Sequence, residues 1–163
     1  MFEKLLDKIV SIVFIPPKYP MRFRELMEAN RVLVDNLSID TIPGLKFCRL
    51  KLYLIYFILW NLIIIPLALL FHTFLAKLDC HISIILAILF TLLFFGTYKI
   101  FENRVKEYAA QKLIKEGWKN YLPHFPYEKY HIEVAQIYKE ALDRDIAKHK
   151  IEQFIIDKLI ESK

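Results

Sequence analysis

Two stretches of this chain, residues 52–76 and 82–98, contain no Asp, Glu, Lys or Arg and are almost continuously apolar. Five residues, 77–81, separate them. At a rise of about 1.5 Å per residue, the longer stretch covers about 37 Å as a helix, enough to cross a bilayer core with tilt; the shorter lies near the lower limit. So short a connector makes the two helices antiparallel neighbours. The fold class expected is therefore all-α: an integral membrane protein with a two-span antiparallel transmembrane hairpin at 52–98 and cytoplasmic amphipathic helices in the arms at 1–51 and 99–163.

The arms carry helical periodicity. Phe2, Leu5, Leu6, Ile9, Val10 and Val13 share one face of a predicted helix at 2–14, and Glu3, Lys4, Asp7, Lys8 and Ser11 share the other. Pro16-Pro17 ends it, because proline lacks an N–H and constrains its predecessor. Two placements fit that helix, one in the membrane interface and one packed on the C-terminal arm. A second helix is expected at 21–37, with Pro20 at its start, followed by a loop at 38–44 that closes on Pro43-Gly44. From Leu45 the chain can run helically into the first span, where Pro66 leaves the carbonyl of Leu62 without its usual donor and predicts a kink. Past the second span the periodicity continues through Ile100, Phe101, Val105, Tyr108, Ala109 and Leu113, with Gly117 as the first C-cap candidate. A long final helix is expected at 127–160, with a face change or kink near 147–150. No convincing strand, internal repeat or low-complexity tract is apparent.

Charge adds an orientation. Residues 1–51 hold 9 basic and 6 acidic side chains, and residues 99–163 hold 13 and 11, so both arms of this +5 chain are basic. Lys46, Arg49 and Lys51 before the first span, with Lys99, Arg104 and Lys106 after the second, form an expected lipid-headgroup collar. By the positive-inside rule both termini are cytoplasmic, and the expected location is a bacterial inner membrane. The charge is too dilute and too mixed with acids for a nucleic-acid stripe, so no nucleic-acid partner is expected. The expected partners are the lipid bilayer and other membrane subunits, or further copies of the chain. Cys48 and Cys80 fall on opposite sides of the expected membrane and cannot pair within one chain. Charges at Glu3, Lys4, Asp7 and Lys8 interrupt any signal-peptide core, so no cleavable leader is expected.

Candidate chemistry is sparse. Asn61, Ala68 and His72 lie on one stripe of the first span; Ser83, Ala87 and Thr91 recur every four residues in the second. Folding the hairpin brings Asn61 near Thr97 and His72 near Ala87. Small residues let helices approach closely, so these seven residues are expected to be helix-packing positions, or alternatively to line a polar path. Asp79-Cys80-His81 has metal-capable atoms but no chelating spacing. Glu128-Lys129-Tyr130-His131 presents one Glu-x-x-His, whereas carboxylate-bridged di-metal bundles use two such motifs and further carboxylates. No phosphate loop, nucleophile motif or HExxH is present. No catalytic residue, metal or cofactor is expected. The leading expectation is a non-enzymatic membrane-anchored subunit or scaffold of a larger complex. The alternatives are a homo-oligomeric channel lined by Asn61, Thr91 and Thr97, and, third, a metal-dependent membrane enzyme using Glu128 and His131.

Overall fold

The computed structural model describes residues 2–71, 73 and 80–161. It is mostly helical, in chain order α1 (Phe2–Val13), β1 (Phe14–Ile15), α2 (Phe23–Val34), β2 (Lys46–Phe47), α3 (Arg49–Leu70), α4 (Cys80–Tyr121), α5 (Tyr127–Asp143) and α6 (Ile151–Glu161). A single 3-10 turn at Ile39–Thr41 lies between α2 and β2. The chain forms two compact units. One combines α1 with the segment from Phe47 to Val105; the other combines the segment from Phe14 to Lys46 with the chain from Lys106 onward.

In the first unit α1 packs on α3. Leu6, Ile9, Val10 and Val13 are buried, whereas the charged face is exposed, as its amphipathic spacing requires. The Cys48 N–H donates to the Val13 carbonyl at 2.9 Å, so an acceptor at the end of α1 is satisfied by the residue that precedes α3. The helix expected at 2–14 thus rests on the start of α3. From α3 onward burial nearly stops. Only Leu52 and Tyr56 of that helix are buried, and no residue in the most apolar stretch of α4 is. Both helices are long and apolar enough to cross a membrane. Pro66 stands inside α3, as expected. The connector at 77–79, the end of the expected first span at 74–76 and His72 lie outside the described residues.

The second unit encloses a conventional helical core. Leu26, Met27, Val32 and Asn30 of α2 meet Ala110, Ile114 and Trp118 of α4, Val134, Tyr138 and Ala141 of α5, and Ile151, Ile155 and Leu159 of α6. The three buried residues of α6 recur every four positions, one narrow stripe sufficient for a short covering helix. The expected Pro43-Gly44 turn is present: Leu45 N–H donates to the Ile42 carbonyl at 3.3 Å and Gly44 has φ +79, a conformation that favours glycine at the third position of a type II turn.

Several boundaries differ from the sequence expectation. The helix expected at 21–37 is Phe23–Val34, preceded by Arg22 rather than started by Pro20. Asn36 adopts φ +52, and Leu37 N–H donates to the Val32 carbonyl while Asn36 N–H donates to that of Leu33, a Schellman stop built without glycine. Chain 45–48 is not helical, since Lys46–Phe47 pairs with Phe14–Ile15 in a two-stranded ladder. The expected final helix is two helices. Asp145 at φ +50, with Ile146 N–H bonded to the Ala141 carbonyl and Asp145 N–H to that of Leu142, repeats the Schellman stop after α5.

Gly117 is not a C-cap either, because α4 continues to Tyr121. A Cβ at Gly117 would sit 3.0 Å from Leu26 Cδ1, and Leu26 is fully buried. The glycine therefore lets α2 and α4 approach closely, at the usual cost in helix propensity. Gly117→Val is expected to destabilise this unit by about 1–3 kcal/mol through overpacking. A lowered thermal midpoint by circular dichroism checks it; an unchanged midpoint would mean that the contact relaxes freely.

Candidate functional site

Two regions concentrate polar or aromatic side chains. The first is the base of the α3–α4 pair. Tyr56, 5% exposed, places its hydroxyl 2.8 Å from the Phe94 carbonyl and 2.6 Å from Thr97 Oγ1. With one proton on each hydroxyl, Thr97 donates to the Leu93 carbonyl and Tyr56 donates across the pair, or Thr97 donates to Tyr56 and Tyr56 to Phe94. Edge-on contacts of Tyr53 and Trp60 with Phe94, and of Tyr53 and Tyr56 with Tyr98, surround that bond. Such aromatic contacts contribute about 0.5–1.5 kcal/mol each beyond area burial.

The expected packing stripe behaves differently. Asn61 Nδ2 donates to the Phe57 carbonyl one turn back in its own helix, so Thr97 is met by Tyr56 rather than by Asn61. Thr91 Oγ1 likewise donates back to the Ala87 carbonyl, and Ala68, Ala87 and Thr91 are exposed. Among the described residues, large aromatics at the base hold the pair. His72 and the Ser83 side chain lie outside the described residues, as do the side chains of Cys80 and His81. Of the expected collar, Lys46, Arg49, Lys51, Lys99 and Arg104 are exposed. Lys106 differs from these five: it is 8% exposed, and its Nζ lies 2.7 Å from Oδ1 of the exposed Asp40.

Glu128 and His131 each have another partner. Glu128 pairs with Lys115 at 2.9 Å, which holds its carboxyl below the usual carboxylate range. The His131 ring stacks on Tyr127 with centroids 4.9 Å apart, its Nδ1 2.9 Å from the Tyr127 carbonyl. Burial, together with the Glu128 charge, pushes the Tyr127 phenol up to about 12. Among the described residues, no three His, Cys, Asp or Glu side chains cluster so as to hold a metal. Asn30, fully buried, donates from Nδ2 to the His131 carbonyl at 2.7 Å, and its Oδ1 has no protein partner.

The second region is a cleft of about 590 Å³ in the second unit, lined by Arg22, Arg24, Glu25, Glu28, Pro43, Tyr138, Lys148 and His149. Arg22 and Arg24 stand at the start of α2. Lys148 and His149 occupy the corner of a turn closed by Lys150 N–H on the Ala147 carbonyl at 2.7 Å. Tyr138 forms the buried wall. Burial raises its phenol pKa, and the Arg24 guanidinium partly opposes that shift. Both carboxylates are already engaged. Glu25 accepts the Arg22 N–H at 3.0 Å, and Glu28 accepts Arg31 Nη2 at 2.6 Å and Nε at 3.3 Å, a fork that raises the Arg31 pKa.

No family model, curated protein or solved structure matches this chain.

Sequence reasoning missed the cleft. Its four basic residues come from two places more than 120 positions apart, and neither Arg22-Phe23-Arg24 nor Lys148-His149-Lys150 is distinctive alone. The only local signal was the spacing drift near 147–150, where the loop between α5 and α6 delivers two of them.

Proposed function

We propose that the chain is a membrane-anchored subunit or scaffold of a larger membrane assembly. In this reading α3 and α4 cross a bilayer as an antiparallel hairpin, both termini are cytoplasmic, and the helical unit containing α2, α5 and α6 meets the partner. One observation carries it. Leu62, Ile63, Ile85 and Leu92 are 65–70% exposed along two long apolar helices, in a chain whose remaining helices bury their apolar faces. Contiguous apolar surface on that scale needs lipid or protein cover. The basic residues Lys46, Arg49, Lys51, Lys99 and Arg104 flank one end of each apolar run, which agrees with a cytoplasmic face there and with insertion in a bacterial inner membrane.

A second reading has its own support: Ala68, Ala87 and Thr91 are small and exposed, which suits close self-association of hairpins into a channel-like oligomer. Native mass spectrometry of tagged chain, gently extracted from its own membranes, separates the two. A fixed set of different co-purifying subunits is the result expected. A pure homo-oligomer of defined number would replace the scaffold reading with the self-assembled one, and a detergent-free soluble monomer would remove both.

A further inference from the structure

We infer that the cleft bounded by Arg22, Arg24, Tyr138, Lys148 and His149 is a binding site for a phosphate group. The volume of about 590 Å³ lies within the range of small-ligand sites, roughly 300–1,000 Å³. A phosphate alone fills little of it, so the ligand is a phosphorylated molecule rather than the bare ion.

The donor set is what a phosphate requires. Two guanidinium forks and one ammonium face the same space, and each fork matches a pair of phosphate oxygens. The two carboxylates on the rim offset them only in part: Glu25 keeps its charge, and three cations of the lining stand against it. Glu25 is turned to the Arg22 backbone N–H, and Glu28 is held by Arg31, a cation outside the lining. Arg24 also lies beside the buried Tyr138 phenol, close enough for its guanidinium to oppose the rise in that phenol's pKa. The first turn of α2 adds to the field. Leu26 is the first residue whose N–H finds a helical carbonyl, that of Arg22, so the amides of Phe23, Arg24 and Glu25 lack one. Arg22, at the capping position, has no side-chain acceptor to offer them.

The cleft is also held in shape. Pro43 sits in the turn fixed by Gly44. Lys148 and His149 follow the Schellman stop at Asp145, whose Ile146 packs against the core. Two independent turns and one helix start thus fix the backbone that carries the cations, which lowers part of the ordering cost of binding.

The phosphate can be a lipid headgroup or part of a soluble compound, and the test distinguishes these. Full chain in nanodiscs of neutral phosphatidylcholine is titrated with inorganic pyrophosphate by calorimetry. Saturable binding of a single pyrophosphate per chain is expected. Arg22→Gln combined with Lys148→Gln, both exposed positions, should weaken it by about tenfold or more, since two charge-assisted contacts are lost. Lys139→Gln, an exposed cation outside the cleft, should leave affinity unchanged. The titration is then repeated in discs containing phosphatidic acid and in charge-matched discs containing phosphatidylglycerol. Weaker pyrophosphate binding only with phosphatidic acid identifies the headgroup as occupant, and equal binding in the two identifies a soluble phosphorylated compound. Absence of saturable binding, or equal losses in the double variant and in Lys139→Gln, overturns the site.

Discussion

Trp118→Ala is expected to remove about 4 kcal/mol from the unit that contains α2, α5 and α6. Trp118 is 2% exposed and meets Tyr127 edge-on with centroids 5.1 Å apart. Its Nε1–H donates to the Phe125 carbonyl at 2.6 Å, closing the turn between α4 and α5. Truncation leaves a cavity and, in addition, removes the indole hydrogen bond to the Phe125 carbonyl, a loss of about 0.5–1.5 kcal/mol in itself. Against a domain stability of about 5–15 kcal/mol, such a loss opens the unit for a measurable fraction of the time. Amide hydrogen exchange on the full chain checks this. Protection in α2, α5 and α6 should fall by about 10²–10³-fold, while amides near Tyr56 in α3, which belong to the other unit, keep theirs. Trp118→Phe retains most of the ring area and loses only the donor, so it should fall about 1–2 kcal/mol short of the parent. A loss in Trp118→Ala no larger than that of Trp118→Phe would mean that the indole matters only through its hydrogen bond.

Why the sequence revealed some elements and hid others follows from particular residues. Proline and glycine marked boundaries wherever they acted on the backbone directly: Pro16-Pro17 follows the first helix and the β1 residues, Pro43-Gly44 makes its turn, and Pro126 precedes α5. Boundaries made by ordinary residues were fainter: the break at 144–150 showed only as the kink expected near 147–150. Asn36 and Asp145 take left-handed conformations that the short polar side chains of Asn and Asp tolerate, and each ends a helix that apolar spacing alone would have continued. Gly117 gave the opposite error, because its role is the contact with Leu26 rather than a cap. The hairpin stripe is a different case, since His72 and the Ser83 side chain lie outside the described residues. Spacing placed Asn61, Ala68, Ala87 and Thr91 on plausible faces, but the bulk of Tyr53, Tyr56, Trp60 and Phe94 decides which faces meet at the base. The Lys106 pairing was not legible because its partner, Asp40, lies 66 positions away. Local pattern carries local structure; contacts at that range depend on the assembled unit.

Ile63→Lys gives the second large effect, and its sign separates two environments for α3. Ile63 is 66% exposed and lies mid-way along the apolar run at 52–76. If water surrounds that face, the substitution replaces an exposed β-branched residue by a good helix former, and stability should change by about 0.5 kcal/mol or less. If lipid surrounds it, an ammonium enters the bilayer centre at a cost of about 2.5–3.5 kcal/mol on the insertion scale, with the favourable transfer of Ile also lost. The lipid outcome is the one expected. Translated into membrane vesicles, the full-length variant should show an inserted-to-uninserted ratio lowered by about 10²-fold for the first span, read from the accessibility of a reporter site placed in the 77–79 connector. Leu142→Lys serves as the control, since Leu142 is a 37% exposed apolar residue of α5, outside both apolar runs, and should leave the ratio unaltered. An unchanged ratio in both variants would assign the exposed apolar faces of α3 and α4 to a protein partner instead of lipid. The anchor would then be an interface, and the aromatic base around Tyr56 would be the part of the pair that stands without that partner.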